Sequence, residues 1–174
     1  PMLGTAPDMQ IEENLALAAR RGKRRGLKWG ITRLEREDYR ELLREFDLGL
    51  EDRLTAKVGL LSGGQRQALT LLMASLQRPK VLLLDEHTAA LDPRTADKVL
   101  RLSDKIISEN NLTALMVTHN MRDAIAHGNR LIMMNAGRVV VDVAGEEKKK
   151  LTVDQLLELF ARSGGALSDS AILA

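Results

Sequence analysis

The sequence contains no cysteine, which excludes disulfide bonds and thiolate metal sites. Aromatic side chains are scarce, with one Trp, one Tyr and two Phe, so any core must be built from aliphatic residues, Met and Ala. No apolar run approaches the roughly 20 residues that a membrane-spanning helix needs. Lys and Arg outnumber Asp and Glu by only 26 to 24, an excess too small to indicate nucleic-acid binding.

The most informative stretch runs from residue 61 to residue 93 and begins with a glycine-rich helix start. Ser62 and Gln65 have the spacing of a capping box, which predicts an N-cap at Ser62. Gly63 and Gly64 place no side chain over the first free backbone N–H groups, so a phosphate could approach them closely. The S-x-x-Q spacing alone indicates only a capped helix, but a cap does not require two glycines.

An apolar run, Val81–Leu84, follows without alternation, which predicts a parallel strand buried on both faces. Asp85 and Glu86 come directly after it, at the end of the strand where open α/β sheets place their ligands. One carboxylate there can hold a metal while its neighbour faces a water molecule. The alternative is a pair of acids in a solvated loop. Residues 112–118 predict a second buried strand, with His119 at its end.

These motifs resemble those of a known family. LSGGQRQ, VLLLDE and ALDP, followed by His119, are similar to the signature, Walker B and D-loop segments of ATP-binding cassette (ABC) ATPases. The resemblance implies an α/β fold, the C-terminal part of a P-loop NTPase (RecA-like) core with a helical signature subdomain. The expected domains are a partial helical subdomain at 1–78, the core at 79–165 and a mobile tail at 166–174.

The resemblance also implies a role for each motif residue. Ser62–Gln65 would contact the γ-phosphate of ATP held by the other subunit of a head-to-tail dimer. Asp85 would bind Mg²⁺ through water, and Glu86 would be the general base that polarises the attacking water. Asp92 would be the D-loop acid at the dimer seam, and His119 would sense the γ-phosphate. As an alternative, Asp92 before Pro93 indicates a plain helix cap.

Two positions depart from the family pattern: His87 stands where Pro is usual, and Ala90 where Ser is frequent. We expect no loss of chemistry from either change alone. The sequence contains no G-x-x-x-x-G-K-[ST] phosphate loop, no Q-loop Gln and no aromatic residue placed to stack on adenine. We therefore expect an N-terminally truncated fragment that is inactive alone and exposes apolar faces of the strand Val81–Leu84.

The parent protein is expected to be the ATPase subunit of a bacterial-type ABC transporter that powers solute import, with ATP and Mg²⁺ as its cofactors. Its expected partners are a second ATPase subunit, transmembrane permease subunits and a solute-binding protein, but no nucleic acid. Its expected place is peripheral, on the cytoplasmic face of the plasma (inner) membrane. The alternatives are a non-transport ABC protein acting on ribosomes or DNA, and a non-catalytic interaction module.

Outside these motifs, the sequence predicts further elements. Helices are predicted at Ile11–Arg20, after a second capping box formed by Thr32 and Glu35, and after a third box that begins at Thr152. The basic cluster at residues 20–25 indicates a solvated surface, with contact to anionic lipid or a membrane subunit as the alternative. Ala136-Gly137 predicts a hairpin turn, and residues 145–150 are predicted to form a charged loop.

Overall fold

The computed structural model describes residues 4–23, 30–45, 47 and 49–162. The chain divides into two compact units, Pro1–Leu115 and Met116–Ala174. This division falls inside the strand Thr113–Val117. The division predicted after residue 78 separates the chain by the family's functional segments, not by compact units. It stays a prediction.

The first unit has a helical part with its own aliphatic core. Its elements are α1 (Ile11–Ala19), α2 (Arg33–Arg44), a single 3₁₀ turn (Val58–Leu60) and α3 (Gly63–Ser75). The predicted aliphatic composition of the core is what the structure shows. The fully buried members of this core are Ile11, Leu15, Leu43, Leu50, Val58 and Leu69.

The start of α1 is held by the loop that precedes α3. Backbone N–H groups of Ile11 and Glu12 donate to the carbonyl oxygens of Ala56 and Leu54, at 3.1 and 3.0 Å. Glu12 is 4% exposed, and its carboxylate receives two hydrogen bonds from Arg36 of α2, at 2.5 and 2.7 Å. A buried carboxylate requires such a partner, so this ion pair joins α1 to α2.

The first unit continues with β1 (Val81–Asp85) and α4 (Pro93–Glu109), and β2 (Thr113–Val117) follows. Strands β1 and β2 form a two-stranded sheet. Helix α4 starts at the cap Asp92, with a proline in its first turn. It buries Val99, Leu102 and Ile106, which helical spacing places on one face.

The prediction that Val81–Leu84 is buried on both faces is wrong. Burial alternates along β1, where Leu82 and Leu84 are buried while Leu83 is 69% exposed. The physical reason is that the described residues cover only one face of this two-stranded sheet. The predicted second strand exists, but it too is mostly exposed, with Leu115 and Val117 open to solvent. The expected exposure of apolar strand faces is therefore confirmed.

The second unit is built around a hairpin. Its elements are α5 (Met121–Ala126), β3 (Arg130–Asn135), β4 (Arg138–Ala144), α6 (Gly145–Lys149) and α7 (Val153–Arg162). Strands β3 and β4 pair antiparallel. The predicted turn is confirmed, since Ala136 and Gly137 both have positive φ angles, 47° and 75°, which suit a two-residue hairpin loop. The buried core of this unit consists of Leu131, Val141, Val143 and Leu156.

The predicted charged loop at residues 145–150 is instead the short helix α6. Lys148 in this helix is buried, although a Lys within a charged run is usually solvated. Its ammonium group donates to the carbonyl oxygen of Ile125 and, at 2.9 Å, to that of His127. These carbonyls at the end of α5 offset the cost of burying the charge.

Several predictions concern residues outside the described ranges. They are Arg24 and Arg25 of the basic cluster and the tail 166–174. Within the described ranges, no helix combines the length and the apolar character needed to cross a lipid bilayer.

Candidate functional site

The start of α3 has the predicted capping box. The backbone N–H of Gln65 donates to the Ser62 hydroxyl at 3.3 Å, and the Gln65 side-chain oxygen accepts from the Ser62 N–H at 3.2 Å. The first turn of α3 contains no acidic residue. The positive end of the helix dipole is therefore not compensated by a carboxylate of its own first turn.

The two glycines of this start have different surroundings. A Cβ added to Gly63 would lie 3.5 Å from Leu91, an ordinary contact, whereas a Cβ on Gly64 would lie 2.0 Å from Cγ2 of Thr95 in α4. Gly64 is buried against α4, so a larger residue there would force the Thr95 side chain to shift. An open approach to the backbone N–H groups remains a prediction for Gly63, which is exposed.

Helix α4 starts beside this point with its own cap. Oδ1 of Asp92 accepts a hydrogen bond from the N–H of Thr95 at 3.1 Å. The Thr95 hydroxyl also donates to this carboxylate, and together the two donors hold the pKa of Asp92 below its usual range. Asp92 is thus an ionised N-cap, which confirms the helix-cap alternative. Thr95 both supports this cap and packs against Gly64.

The adjacent acids lie at the end of β1. Asp85 is the last residue of the strand, Glu86 follows it, and both side chains are exposed. The backbone of Glu86 has a φ of 42°, in the left-handed region that residues with side chains seldom adopt. A turn begins here, because the N–H of Ala89 donates to the Glu86 carbonyl at 3.1 Å.

The next residue, His87, is bound to α4. Its Nε2 lies 3.0 Å from the hydroxyl oxygen of Ser103, a buried residue in the middle of that helix. The segment between β1 and α4 is thus fixed at two points, by His87 near its start and by the Asp92 cap at its end. The His that stands at position 87 in place of the family's usual Pro therefore makes a structural contact, the bond to Ser103.

His119 belongs to the second unit, where it follows β2 and precedes the cap of α5. Its side chain is exposed. The side chain of the next residue, Asn120, accepts hydrogen bonds from the N–H groups of Arg122 and Asp123 at 2.9 and 3.2 Å. His119 therefore lies at a fixed point between a strand end and a helix start.

The donor set at the end of β1 fits a magnesium ion that is completed by a substrate. Mg²⁺ prefers oxygen ligands and usually keeps several waters, with one or two carboxylates and substrate phosphates in its shell. Asp85 and Glu86 supply carboxylate oxygens that solvent can reach. Within the described ranges, no group of three or more His, Asp or Glu residues could hold a metal without such a substrate.

Two residues of this region were not found from the sequence, Thr95 and Ser103. The D-x-x-T spacing from Asp92 is a sequence signal for a cap that includes Thr95, but it does not show the contact with Gly64. Ser103 has no such signal, because the residue that it binds lies 16 positions away.

Comparison with known proteins supports the resemblance. Residues 3–89 match the family model described as "ABC transporter". The "Tyrosine transport ATP-binding protein" of Clostridioides difficile (strain R20291) is 52% identical over 160 residues, which cover 92% of this chain and 63% of that protein. The "Phosphonates import ATP-binding protein PhnC" of Frankia casuarinae is 33% identical, over 90% of this chain and 60% of that protein. The chain thus spans less than two thirds of these relatives.

Solved structures with a similar fold are ATP-binding cassettes. The ADP conformation of the cassette MJ1267 matches 89% of this chain and 63% of its own, with a TM-score of 0.67 and 24% identity. A dimeric post-hydrolysis state of the cassette MJ0796, bound to ADP and Pi, matches 80% of this chain and 58% of its own, with a TM-score of 0.63 and 31% identity. The α/β fold of P-loop NTPase cassettes is confirmed, and this chain belongs to the ABC transporter family.

Proposed function

We propose that this chain is part of the ATP-hydrolysing subunit of a bacterial-type ABC importer. The observation that carries the proposal is the pair of exposed carboxylates, Asp85 and Glu86, at the end of β1. Because the chain belongs to the ABC transporter family, we interpret this pair as the metal-binding acid and the general base. The relatives reported above carry the words transport and import in their names. The two alternative functions, a non-transport ABC protein and a non-catalytic module, have no support from these names.

In this proposal Glu86 is the general base. Its exposed carboxylate accepts a hydrogen bond from the attacking water and so raises the water's nucleophilicity toward the γ-phosphate. Asp85 would hold Mg²⁺ through a water molecule. Bound Mg²⁺ supplies positive charge that offsets the charge developing on the phosphate oxygens. His119 donates a hydrogen bond to the γ-phosphate from its imidazole.

The start of α3 serves a second copy of the protein. Ser62–Gln65 present a helix N-terminus whose first turn has no acid, which favours a phosphate over a carboxylate partner. That phosphate belongs to ATP bound by the other subunit of a head-to-tail homodimer. Asp92, beside this start in α4, is the acid at the dimer seam, and the Thr95 donors that lower its pKa keep it ionised into more acidic solution.

An importer requires further partners besides its ATPase subunits. Transmembrane permease subunits and a solute-binding protein complete the importer, which places this subunit peripherally on the cytoplasmic face of the plasma membrane. The solute is a small molecule. The name of the 52% identical relative makes an amino acid the first candidate.

Phosphate release from Mg-ATP by the full-length protein tests the proposal. We expect Glu86→Gln to lower kcat by about 10²–10⁴-fold, the usual contribution of a general base. Glu41→Gln is the matched control, because Glu41 is an exposed acid on α2 whose side chain is 85% accessible. Normal turnover by Glu86→Gln would overturn the general-base role. Absence of ATP turnover by the wild-type protein would favour the non-catalytic module.

A further inference from the structure

A hydrogen bond between two distant side chains ties the segment after β1 to the middle of α4. Nε2 of His87 lies 3.0 Å from Oγ of Ser103, which is 3% exposed. The Ser103 hydroxyl hydrogen is already used, because it donates to the Val99 carbonyl at 2.9 Å. With the Ser103 hydrogen on that carbonyl, Oγ accepts from His87 in the tautomer that carries its hydrogen on Nε2.

This bond is not needed to satisfy a buried hydroxyl. The hydroxyl donor of Ser103 is paired within its own helix, and an unpaired acceptor oxygen costs less than an unpaired buried donor does. The bond has a clearer consequence for His87, whose side chain it fixes to a rigid helix of 17 residues. The segment after β1 is thereby anchored one residue after Glu86.

Glu86 itself needs such an anchor. Its φ of 42° lies in a region that is unfavourable for a residue with a side chain, and such backbones persist only where their surroundings hold them. The turn bond from Ala89 N–H to the Glu86 carbonyl, at 3.1 Å, restrains the residue from one side. His87 restrains it through the adjoining peptide.

We propose that His87 is a positioning residue for Glu86: its hydrogen bond to Ser103 holds the strained backbone of Glu86 at the end of β1. The effect of His87 on catalysis by Glu86 rests on the proposed function. The anchoring of the backbone by the His87–Ser103 bond does not, because it concerns only the structure of the first unit.

Hydrogen exchange on this chain tests the anchor. In His87→Ala and in Ser103→Ala, we expect the Ala89 amide to exchange about fivefold to tenfold faster, the effect of losing one hydrogen bond. His87→Gln should restore slow exchange, because a glutamine amide nitrogen can reach the place of Nε2. Ser108→Ala is the matched control, since its hydroxyl donates to the Lys105 carbonyl on the exposed side of the same helix. Unchanged Ala89 exchange in His87→Ala would overturn the inference.

Steady-state ATP turnover by the full-length protein tests the consequence for Glu86. We expect His87→Ala to lower kcat about tenfold with little change in the KM for ATP, because a misdirected base affects the transition state more than binding. His87→Gln should regain most of kcat. Faster Ala89 exchange with a normal kcat would overturn the positioning role. A wild-type protein without turnover would refute the proposed function, and with it that role, while the exchange data would still decide the anchor.

Discussion

Helices α2 and α3 begin with the same four-residue cap but differ in how their positive ends are treated. In α2, Thr32 and Glu35 form the box, and the Glu35 carboxylate also binds Arg20 at 2.9 Å. In α3, the corresponding residues are Ser62 and the neutral Gln65. The dipole of α2 is thus compensated within the first unit, whereas that of α3 is not compensated by its own first turn.

The comparison teaches that a capping box defines where a helix starts but not what the start is used for. The pKa of Glu35 falls to about 2, because the Thr32 N–H and the Arg20 guanidinium donate to it. The negative charge of this carboxylate disfavours the binding of an anion at the start of α2. At α3 the same box keeps a polar but uncharged side chain, and Gly64 lets α4 approach instead. Four predictions test this difference, in order of decreasing effect.

Gly64→Ala should give the largest effect. The new Cβ would overlap Cγ2 of Thr95, so we expect the free energy of unfolding to fall by about 1–3 kcal/mol, measured by urea denaturation. Gly63→Ala is the matched control and should leave stability unchanged or slightly higher, since its Cβ meets only an ordinary contact. Thr95→Ser removes the methyl group and keeps the hydroxyl cap, so adding it to Gly64→Ala should recover part of the loss. Equal effects of the two glycine substitutions would contradict the packing role.

Removing the cap hydroxyl should affect the two helices equally. We expect Ser62→Ala and Thr32→Ala each to lower the free energy of unfolding by about 1 kcal/mol, because each leaves one helix N–H without its partner. The measurement is again urea denaturation of the two variants against the wild-type chain. A cost at Thr32 with none at Ser62 would show that the α3 cap is not formed in solution.

Gln65→Glu should make α3 resemble α2. The added carboxylate would stabilise the helix start by about 0.3–1 kcal/mol and would repel an incoming phosphate. We therefore expect the variant to unfold at slightly higher urea concentration while Mg-ATP-dependent dimerisation of the full-length protein weakens. Glu35→Gln, the reciprocal control, should leave dimerisation unchanged. Normal dimerisation by Gln65→Glu would contradict a phosphate role for the α3 start.

Acid should weaken only the α2 start. The pKa of Glu35 in the folded chain is about 2, below its ordinary value of 4.5, so its contribution is fully present above the ordinary value and is lost as the pH falls toward 2. The amide resonances of Thr32 and Glu35 in the folded chain should therefore titrate near pH 2, while those of Ser62 and Gln65 should not follow this transition. Glu35→Gln should abolish the titration at α2. The same acid transition at both starts would argue against a difference in charge compensation.

The features that the sequence predicted correctly depend on residues close together in the chain. The Ser62–Gln65 cap, the start of α4 at Asp92 and the hairpin turn at Ala136 each need a spacing of three residues or fewer. The contacts of Gly64 with Thr95 and of His87 with Ser103 could not be predicted, because local spacing contains no signal for contacts between residues that are distant in the chain.

The two wrong predictions have a related cause. An apolar run such as Val81–Leu84 shows that a strand is hydrophobic, but not whether a neighbour covers each face. A charged run such as residues 145–150 indicates solvation on average, whereas Lys148 is buried because carbonyl oxygens at the end of α5 accept its hydrogens. In both cases, burial is decided by residues outside the segment, so the segment's own sequence does not reveal it.

In the proposed function, the α3 start contacts ATP held by a second copy of the protein. The direct measurement is analytical ultracentrifugation of the full-length Glu86→Gln protein with Mg-ATP, alone and combined with Gln65→Glu. We expect a nucleotide-dependent dimer in the single variant, since bound ATP is not consumed, and mostly monomer in the double variant. A dimer of equal strength in both proteins, or no response to ATP in either, would contradict the claim.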